Sequence, residues 1–368
     1  MNKILVVGQT PPPIGGQAVM IEEIINAPYT NARIYHVRMA FSKGMDDMGR
    51  IQVAKIFHLF SVILHIWYYR IVKGVNILYY PPSGPDKVPV YRDIIILVAT
   101  RWMFSKTIFH FHAGGLSEFW PRLGRMAQFL FKLAFFYPDA TISLSTLVPP
   151  DAAFIKSRKQ YIIPYGIADE YTTAYDKLNN KLPLRILFMG VMRETKGEFI
   201  LLEACRQLAA KGIEFAVDFA GSFHNKAIEQ QFYDFVETHQ LQKNVFYRGV
   251  VSGEDKRQLF ASADIFCFPS YFESETFGLV VVEAMQFCLP VVSTNWRGIP
   301  GNVANGVNGF LVNIKDAQAV AEKLELLLLD NALRAKMGAN SRAIYLEKFT
   351  TDRFLQLMDT CFSAPYNR

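Results

Sequence analysis

Short apolar runs alternate with longer stretches whose apolar positions recur at helical spacing, and the alternation happens twice along the chain. In the first half the pattern predicts strands over 3–8, 32–37, 75–80, 106–112 and 139–145. Between them, Val90–Phe104 and Ser117–Phe136 carry helical spacing. The second half repeats the scheme, with strands expected over 184–190, 215–221, 244–249, 263–269 and 289–294. Its helices are expected over Glu198–Ala210, Asn225–Thr238 and Gly253–Ala261. Alternation of this kind implies parallel sheets with both faces covered, so the expected class is α/β with two doubly wound units.

The halves open alike, KILVVG and RILFMG each being an apolar strand that ends in glycine. At 368 residues the chain is too long for one ordinary core. The polar, proline-closed stretch 175–183 (YDKLNNKLP) reads as a linker between domains spanning 1–174 and 184–348. The tail, 349–368, is helical in pattern and is expected to cross back to the first domain. Two such sheets facing a central cleft would hold ligands in it.

Charge changes this picture. Residues 1–165 carry 18 lysines and arginines against nine acids, while the remainder is slightly acidic. The segment Ile56–Tyr69 has no formal charge but, at 14 residues, is shorter than a bilayer span of about 20. A buried or interfacial helix is expected instead, and a basic, aromatic face suits contact with anionic lipid as well as it suits an ordinary solvated surface. The four scattered cysteines fit a reducing compartment. The N-terminus reads as a first strand, not a secretory signal. A cytoplasmic protein, associated with the membrane at its cytoplasmic face, is the expectation; no nucleic-acid partner is expected.

The sequence has no GxG, no GxxxxGK[ST] loop and no Asp-x-Asp pair, so hydride-transfer fingerprints, P-loops and a metal-bridged diphosphate site are all missing. The chemistry gathers instead at FPSYFESETFGLVVVEAMQ, residues 268–286, where Glu275 and Glu283 bracket an apolar run. A carboxylate in such a segment is costly unless it has a partner or a task. A helix starting near Phe277-Gly278 would offer free amides over Thr276, Phe277, Gly278 and Leu279 to a diphosphate. Glu275 just before that helix and Glu283 about 12 Å further along it, at ~1.5 Å per residue, would fall on one face. Such a pair suits the sugar hydroxyls and the ribose diol of a nucleoside-diphosphate sugar.

ETFGLVVVEAM resembles the E-x7-E signature of retaining GT-B glycosyltransferases, family 4 in particular. Other segments resemble that family in order: Pro-Pro-Ile-Gly15-Gly16 its N-terminal glycine loop, FHFHAGG its active-site histidine segment with His112 in position, and PYGIAD its P-N-G-I-D turn. Gly190 followed by Lys196-Gly197 resembles the phosphate-binding G-R-x4-K-G stretch, and NGVNGFLV the glycine turn after the donor site. The family's arginine after the first glycine is Val191 here, with Arg193 two residues on; Tyr165 replaces the asparagine of P-N-G; Cys288 stands where a glycine precedes x-Pro; and Gly301 stands where a glutamate is frequent.

The resemblance implies a GT-B fold and sugar transfer from a nucleoside diphosphate, UDP or GDP, with retention of configuration and no required metal or other cofactor. It assigns His112, Glu275 and Lys196 to catalysis, with Arg193 as the replacement for the missing arginine; Gly15, Gly16, Gly190, Thr276, Phe277, Gly278, Leu279 and Glu283 are expected at the donor. The acceptor is expected to be a saccharide or lipid-linked saccharide, in cell-surface polysaccharide or glycolipid assembly, docking on the first domain. Two rivals are a degenerate nucleotide-sugar-binding relative, for which Val191 and Gly301 speak, and a sugar-nucleotide epimerase. His110 and His112 share a strand face and could be a metal pair, but no further ligands of suitable spacing follow.

Overall fold

The computed structural model describes residues 1–12, 15–41, 53–172 and 182–364. The expected linker at 175–183 therefore lies outside the described residues, apart from Leu182 and Pro183. The chain divides into two compact units, Met1–Tyr165 with the tail from Asp352, and Gly166–Thr351.

In the first unit six parallel strands form a sheet: β1 (Asn2–Gly8), β2 (Ala32–Arg38), β3 (Ile77–Tyr80), β4 (Lys106–Phe111), β5 (Ala140–Ser143) and β6 (Gln160–Ile162), in the order β2-β1-β3-β4-β5-β6. The second sheet holds β7 (Arg185–Met189), β8 (Ala216–Ala220), β9 (Val245–Gly249), β10 (Ile265–Phe268), β11 (Val291–Thr294) and β12 (Gly309–Val312), in the order β12-β11-β10-β7-β8-β9. All pairings between these strands are parallel. Central strands are buried on both faces, which is why they read as unbroken apolar runs. Both sheets are doubly wound, as the alternation implies.

The helices of the first unit are α1 (Gly16–Asn26), α2 (Val53–Ile71), α3 (Lys87–Thr100), α4 (Leu116–Phe119), α5 (Arg125–Phe135) and α6 (Asp151–Phe154). The single helix expected over Ser117–Phe136 is in fact broken: a turn over Trp120–Arg122 contains Pro121, and Gly124 caps α5. Pro121 lacks an amide hydrogen for helix continuation. Val62, Ile63 and Ile66 of α2, Ile94 and Leu97 of α3, and Phe131 and Phe135 of α5 share one core with β1, β3 and β4.

The second unit adds α7 (Glu198–Ala210), α8 (Lys226–Thr238), α9 (Gly253–Ser262), α10 (Leu279–Gln286), α11 (Ala317–Leu329) and α12 (Asn331–Lys348). The last helix, α13 (Thr351–Ser363), carries the tail into the first unit. There Phe362 meets Tyr29 and Tyr79 edge-on, and the Asn2 amide donates to its carbonyl at 2.8 Å.

Strand order locates the ligand-bearing ends. In the second sheet the direction of winding reverses between β7 and β10, and in doubly wound sheets ligands sit beyond the strand carboxyl ends at that point. The loops after β7 and β10 carry Lys196 and Glu275. In the first sheet the reversal lies between β1 and β3, and the loop after β1 leads to Gly15.

Candidate active site

Strand β7 leaves the sheet at Gly190, turns over Glu194–Lys196 and enters α7 through Gly197, whose φ of 89° is left-handed. A Cβ at Gly197 would stand 2.3 Å from the Pro269 carbonyl, so glycine is required both by the turn and by the close approach of the loop after β10. The Tyr271 amide then donates to the Thr195 carbonyl at 2.8 Å, locking the two loops together. Across this seam Lys196 Nζ donates to Glu275 Oε2 at 2.6 Å, and Ser270 Oγ donates to the same oxygen at 3.1 Å. Glu275 is buried, with Thr276 and Phe277 after it. The Phe272 ring carries two cations, Lys196 Nζ at 4.5 Å and the Arg193 guanidinium at 5.2 Å from its centroid.

The helix after Glu275 starts later than the pattern implies. Gly278 is left-handed at φ 69° and caps α10, which runs only from Leu279. Glu275 to Gly278 is therefore loop, and the two glutamates do not share a helix face by spacing along one continuous helix. Each has its own lysine: Glu283 Oε1 accepts from Lys256 Nζ of α9 at 2.6 Å. Burial raises the Glu283 carboxyl above its ordinary range, and Lys256 opposes that shift. The first turn of α10 holds no acidic residue and its cap makes no side-chain hydrogen bond. The loop is held from behind: Asn302 Nδ2 donates to the Phe277 carbonyl, Thr294 Oγ1 to that of Ser270, and Trp296 Nε1 to that of Phe272 at 2.9 Å.

In the first unit, Gly15 caps α1 in an extended conformation, and Gly16 is its first residue. Among the described residues a Cβ on Gly15 would meet nothing within 4 Å, so neither backbone angle nor packing among them explains the glycine. His110 lies on β4 and His112 just beyond it, their rings 4.0 Å apart. Each uses Nδ1 on a tyrosine: His110 with Tyr79 OH at 2.5 Å, His112 with Tyr165 OH. Burial drives His112 down to about 3 and His110 well below its ordinary value, so both rings are neutral near pH 7. Asp151 accepts from the Gly115 and Ser117 amides, each at 2.7 Å, and so fixes the Gly114-Gly115 turn beside His112.

The structure thus brings Lys196, Arg193, Glu275 and Thr276–Leu279 together at one switch point, with Glu283 along α10. Sequence reasoning missed Ser270, Phe272, Lys256 and the role of Tyr165. Tyr165 was visible only as a departure from a family pattern; Lys256 gave no signal, since its partner is on another helix.

Residues 174–344 match the family model described as glycosyl transferases group 1. The group 1 match covers nearly all of the second unit and stops short of the first. Among curated proteins, the capsular polysaccharide biosynthesis glycosyltransferase CapM of Staphylococcus aureus is 29% identical over 178 residues, 48% of this chain and 45% of its own. A D-inositol 3-phosphate glycosyltransferase of Corynebacterium kroppenstedtii is 32% identical over 160 residues, 42% of this chain and 35% of its own. The matched stretch thus spans less than half the length of these relatives. Beyond the group 1 region, the whole fold is shared with Anabaena HepE, solved in complex with UDP and glucose: the TM-score is 0.74 at 19% identity, covering 99% of this chain and 100% of that one. The architecture is GT-B, with two Rossmann-like units.

Proposed function

We propose that this protein transfers a sugar from a nucleoside diphosphate to a saccharide or lipid-linked saccharide, with retention of configuration and without a required metal. One observation carries the reading: a buried carboxylate, Glu275, held by Lys196 and Ser270 at the switch point, in the loop that leads into α10. As the bond from the anomeric carbon to the β-phosphate breaks, negative charge grows on the diphosphate. Lys196, Arg193 and the amides over Thr276–Leu279 are suited to receive it, with Gly190 leaving backbone room at the end of β7; Gly15 and Gly16 leave such room after β1 in the first unit. Glu275 then accepts from sugar hydroxyls and Glu283 from the ribose diol. His112, neutral and buried, is suited to hydrogen-bond a sugar hydroxyl and not to take a full proton. Among the described residues no side chain stands out as a covalent nucleophile, in keeping with transfer on the face the leaving group vacates.

Structural neighbours solved with UDP and with UDP-glucose favour a uridine donor, and the capsular relative favours polysaccharide assembly. The test is calorimetric titration with UDP, GDP, ADP and their sugars without metal, followed by NMR of the product's anomeric configuration. Binding of one nucleotide class, lost in Glu283→Ala, with retained configuration in the product, supports the reading. Absence of binding to every nucleotide, or an inverted product, overturns it.

A further inference from the structure

The outer surface of the first unit carries a feature that glycosyl transfer does not use. Helix α3 packs between α2 and α5, and all three bury their inner faces in one core. They are also tied to each other: Trp67 Nε1 donates to the Ala99 carbonyl at 3.1 Å, Arg70 Nε to that of Met103 at 2.5 Å, and an Arg101 amino group to that of Ala134 at 2.8 Å. The layer is therefore a fixed platform. Its outward positions should be polar in a helix facing water alone. On α2 they are Phe57, Phe60, Leu64, Trp67 and Ile71, with Phe57 71% exposed. On α3 Tyr91 and Ile95 continue the band, which ends at Trp102, 75% exposed. On α5 they are Met126, Phe129 and Leu133, with Met126 72% exposed.

Charge decides what covers this face. From Val53 to Tyr137 the chain has ten lysines and arginines and three acids. Of those acids Asp93 is buried, taking Tyr80, the Ser83 amide and Arg92. Among the described residues, α2 and α5 hold no acid, and Lys73, Arg122, Arg125 and Lys132 are exposed around the apolar band. A second copy of the same face would set like charges against each other, so the complement is a broad anionic surface with an apolar interior. No helix among the described residues is long and apolar enough to cross a membrane.

We infer that the α2–α3–α5 face seats on an anionic lipid bilayer, its aromatic side chains entering the headgroup boundary and its lysines and arginines meeting lipid phosphates. The inference stands apart from the glycosyl-transfer reading, because it is measured without substrate and can fail while transfer holds.

The experiment is co-sedimentation of the full chain with vesicles of phosphatidylglycerol and phosphatidylcholine, and with phosphatidylcholine alone. The expected result is binding to the anionic vesicles, lost at high salt, with Trp102 quenched by brominated lipid and Trp296 of the second unit unaffected. Phe57→Ser with Phe60→Ser, and separately Arg125→Glu with Lys132→Glu, each weaken partitioning by about tenfold or more. All four residues are exposed, so circular dichroism should be unchanged. Lack of binding to anionic vesicles at low salt overturns the inference, as does binding that both double variants leave intact. A dimer abolished by Phe57→Ser with Phe60→Ser, without vesicle binding, would also overturn it and assign the face to a second copy.

Discussion

The two units handle charge in opposite ways. In the second, the cations near the switch point are engaged: Lys196 on Glu275, Lys256 on Glu283, Arg193 on the Phe272 ring. In the first, the two histidines at the end of β4 are neutral and bonded to tyrosines, while exposed lysines and arginines stand around an apolar band. On the proposed reading, the engaged charges at this strand-end loop exchange partners when the donor's diphosphate arrives. On the outer helical layer Lys132 lies over the Trp120 ring and Lys73 over that of Tyr68, both still exposed to solvent. A shared architecture thus hosts one unit whose switch-point cations are engaged and one whose strand-end histidines are neutral.

The largest expected effect lies at Glu275. Glu275→Ala strips Lys196 and Ser270 of their shared acceptor, and turnover should fall by about 10²–10³-fold or more, the scale of losing one preorganised electrostatic contact. Lys196→Ala should match it, and the double variant should lose little more, since the two act as a unit. Steady-state rates of the three variants check this; independent, multiplying losses would refute the coupling. Next comes Glu283. Glu283→Ala leaves Lys256 without its carboxylate, and donor affinity should weaken by about 10- to 100-fold, as expected for a hydrogen bond to a charged group, with kcat changed far less. Calorimetry separates that outcome from one in which kcat alone falls.

The pH response should differ in sign between the units. His112 and His110 have folded values below the unfolded one near 6.5, so the unfolded chain binds more protons and the first unit loses stability as pH falls below about 6.5. Burial pushes Glu198, at the start of α7, up to about 7 from its usual 4.5. There the folded state binds more protons, so this group costs the second unit stability as pH rises from 4.5 towards 7 and less as pH falls. Each fully coupled group contributes at most about 1.4 kcal/mol per pH unit. Hydrogen exchange between pH 5 and 7 should show acid loosening β4 and tightening α7. Glu198→Gln should abolish the second trend alone, and a response of the same sign in both units would break the comparison.

Much of the fold is legible in the sequence. The central strands of both sheets are buried on two faces, so LRILFMG and ADIFCFP stand out as apolar runs whatever surrounds them. The edges were harder. β6 pairs along one side only, and just one of its three residues is not exposed; β12 follows directly on a glycine turn and reads as part of it. Strand order is non-local and was not read, although it explains why the loops of Lys196 and Glu275 meet across 79 residues of sequence. The α10 cap escaped because a left-handed glycine inside an apolar run looks like helix. Lys256 and Glu283 lie 27 residues apart on separate helices, a pairing no spacing rule reports.

Tyr165 gives the smallest expected effect and the sharpest test of the neutral site. Its hydroxyl bonds His112 Nδ1, its ring stacks at 26° on the imidazole, and it lies at the end of the first unit, 53 residues from the histidine. Tyr165→Phe keeps the ring and removes the hydroxyl, so unfolding should become easier by about 0.5–1.5 kcal/mol, the ordinary net value of one such hydrogen bond. If Tyr165 fixes which His112 nitrogen carries the proton, the ¹⁵N shifts of that ring will change, and turnover will drop while donor affinity at Glu283 holds. If stability falls but shifts and turnover do not move, Tyr165 is packing alone. Tyr165→His, with a polar ring in place of the phenol, should then restore nothing, whereas a positioning role predicts partial recovery of turnover.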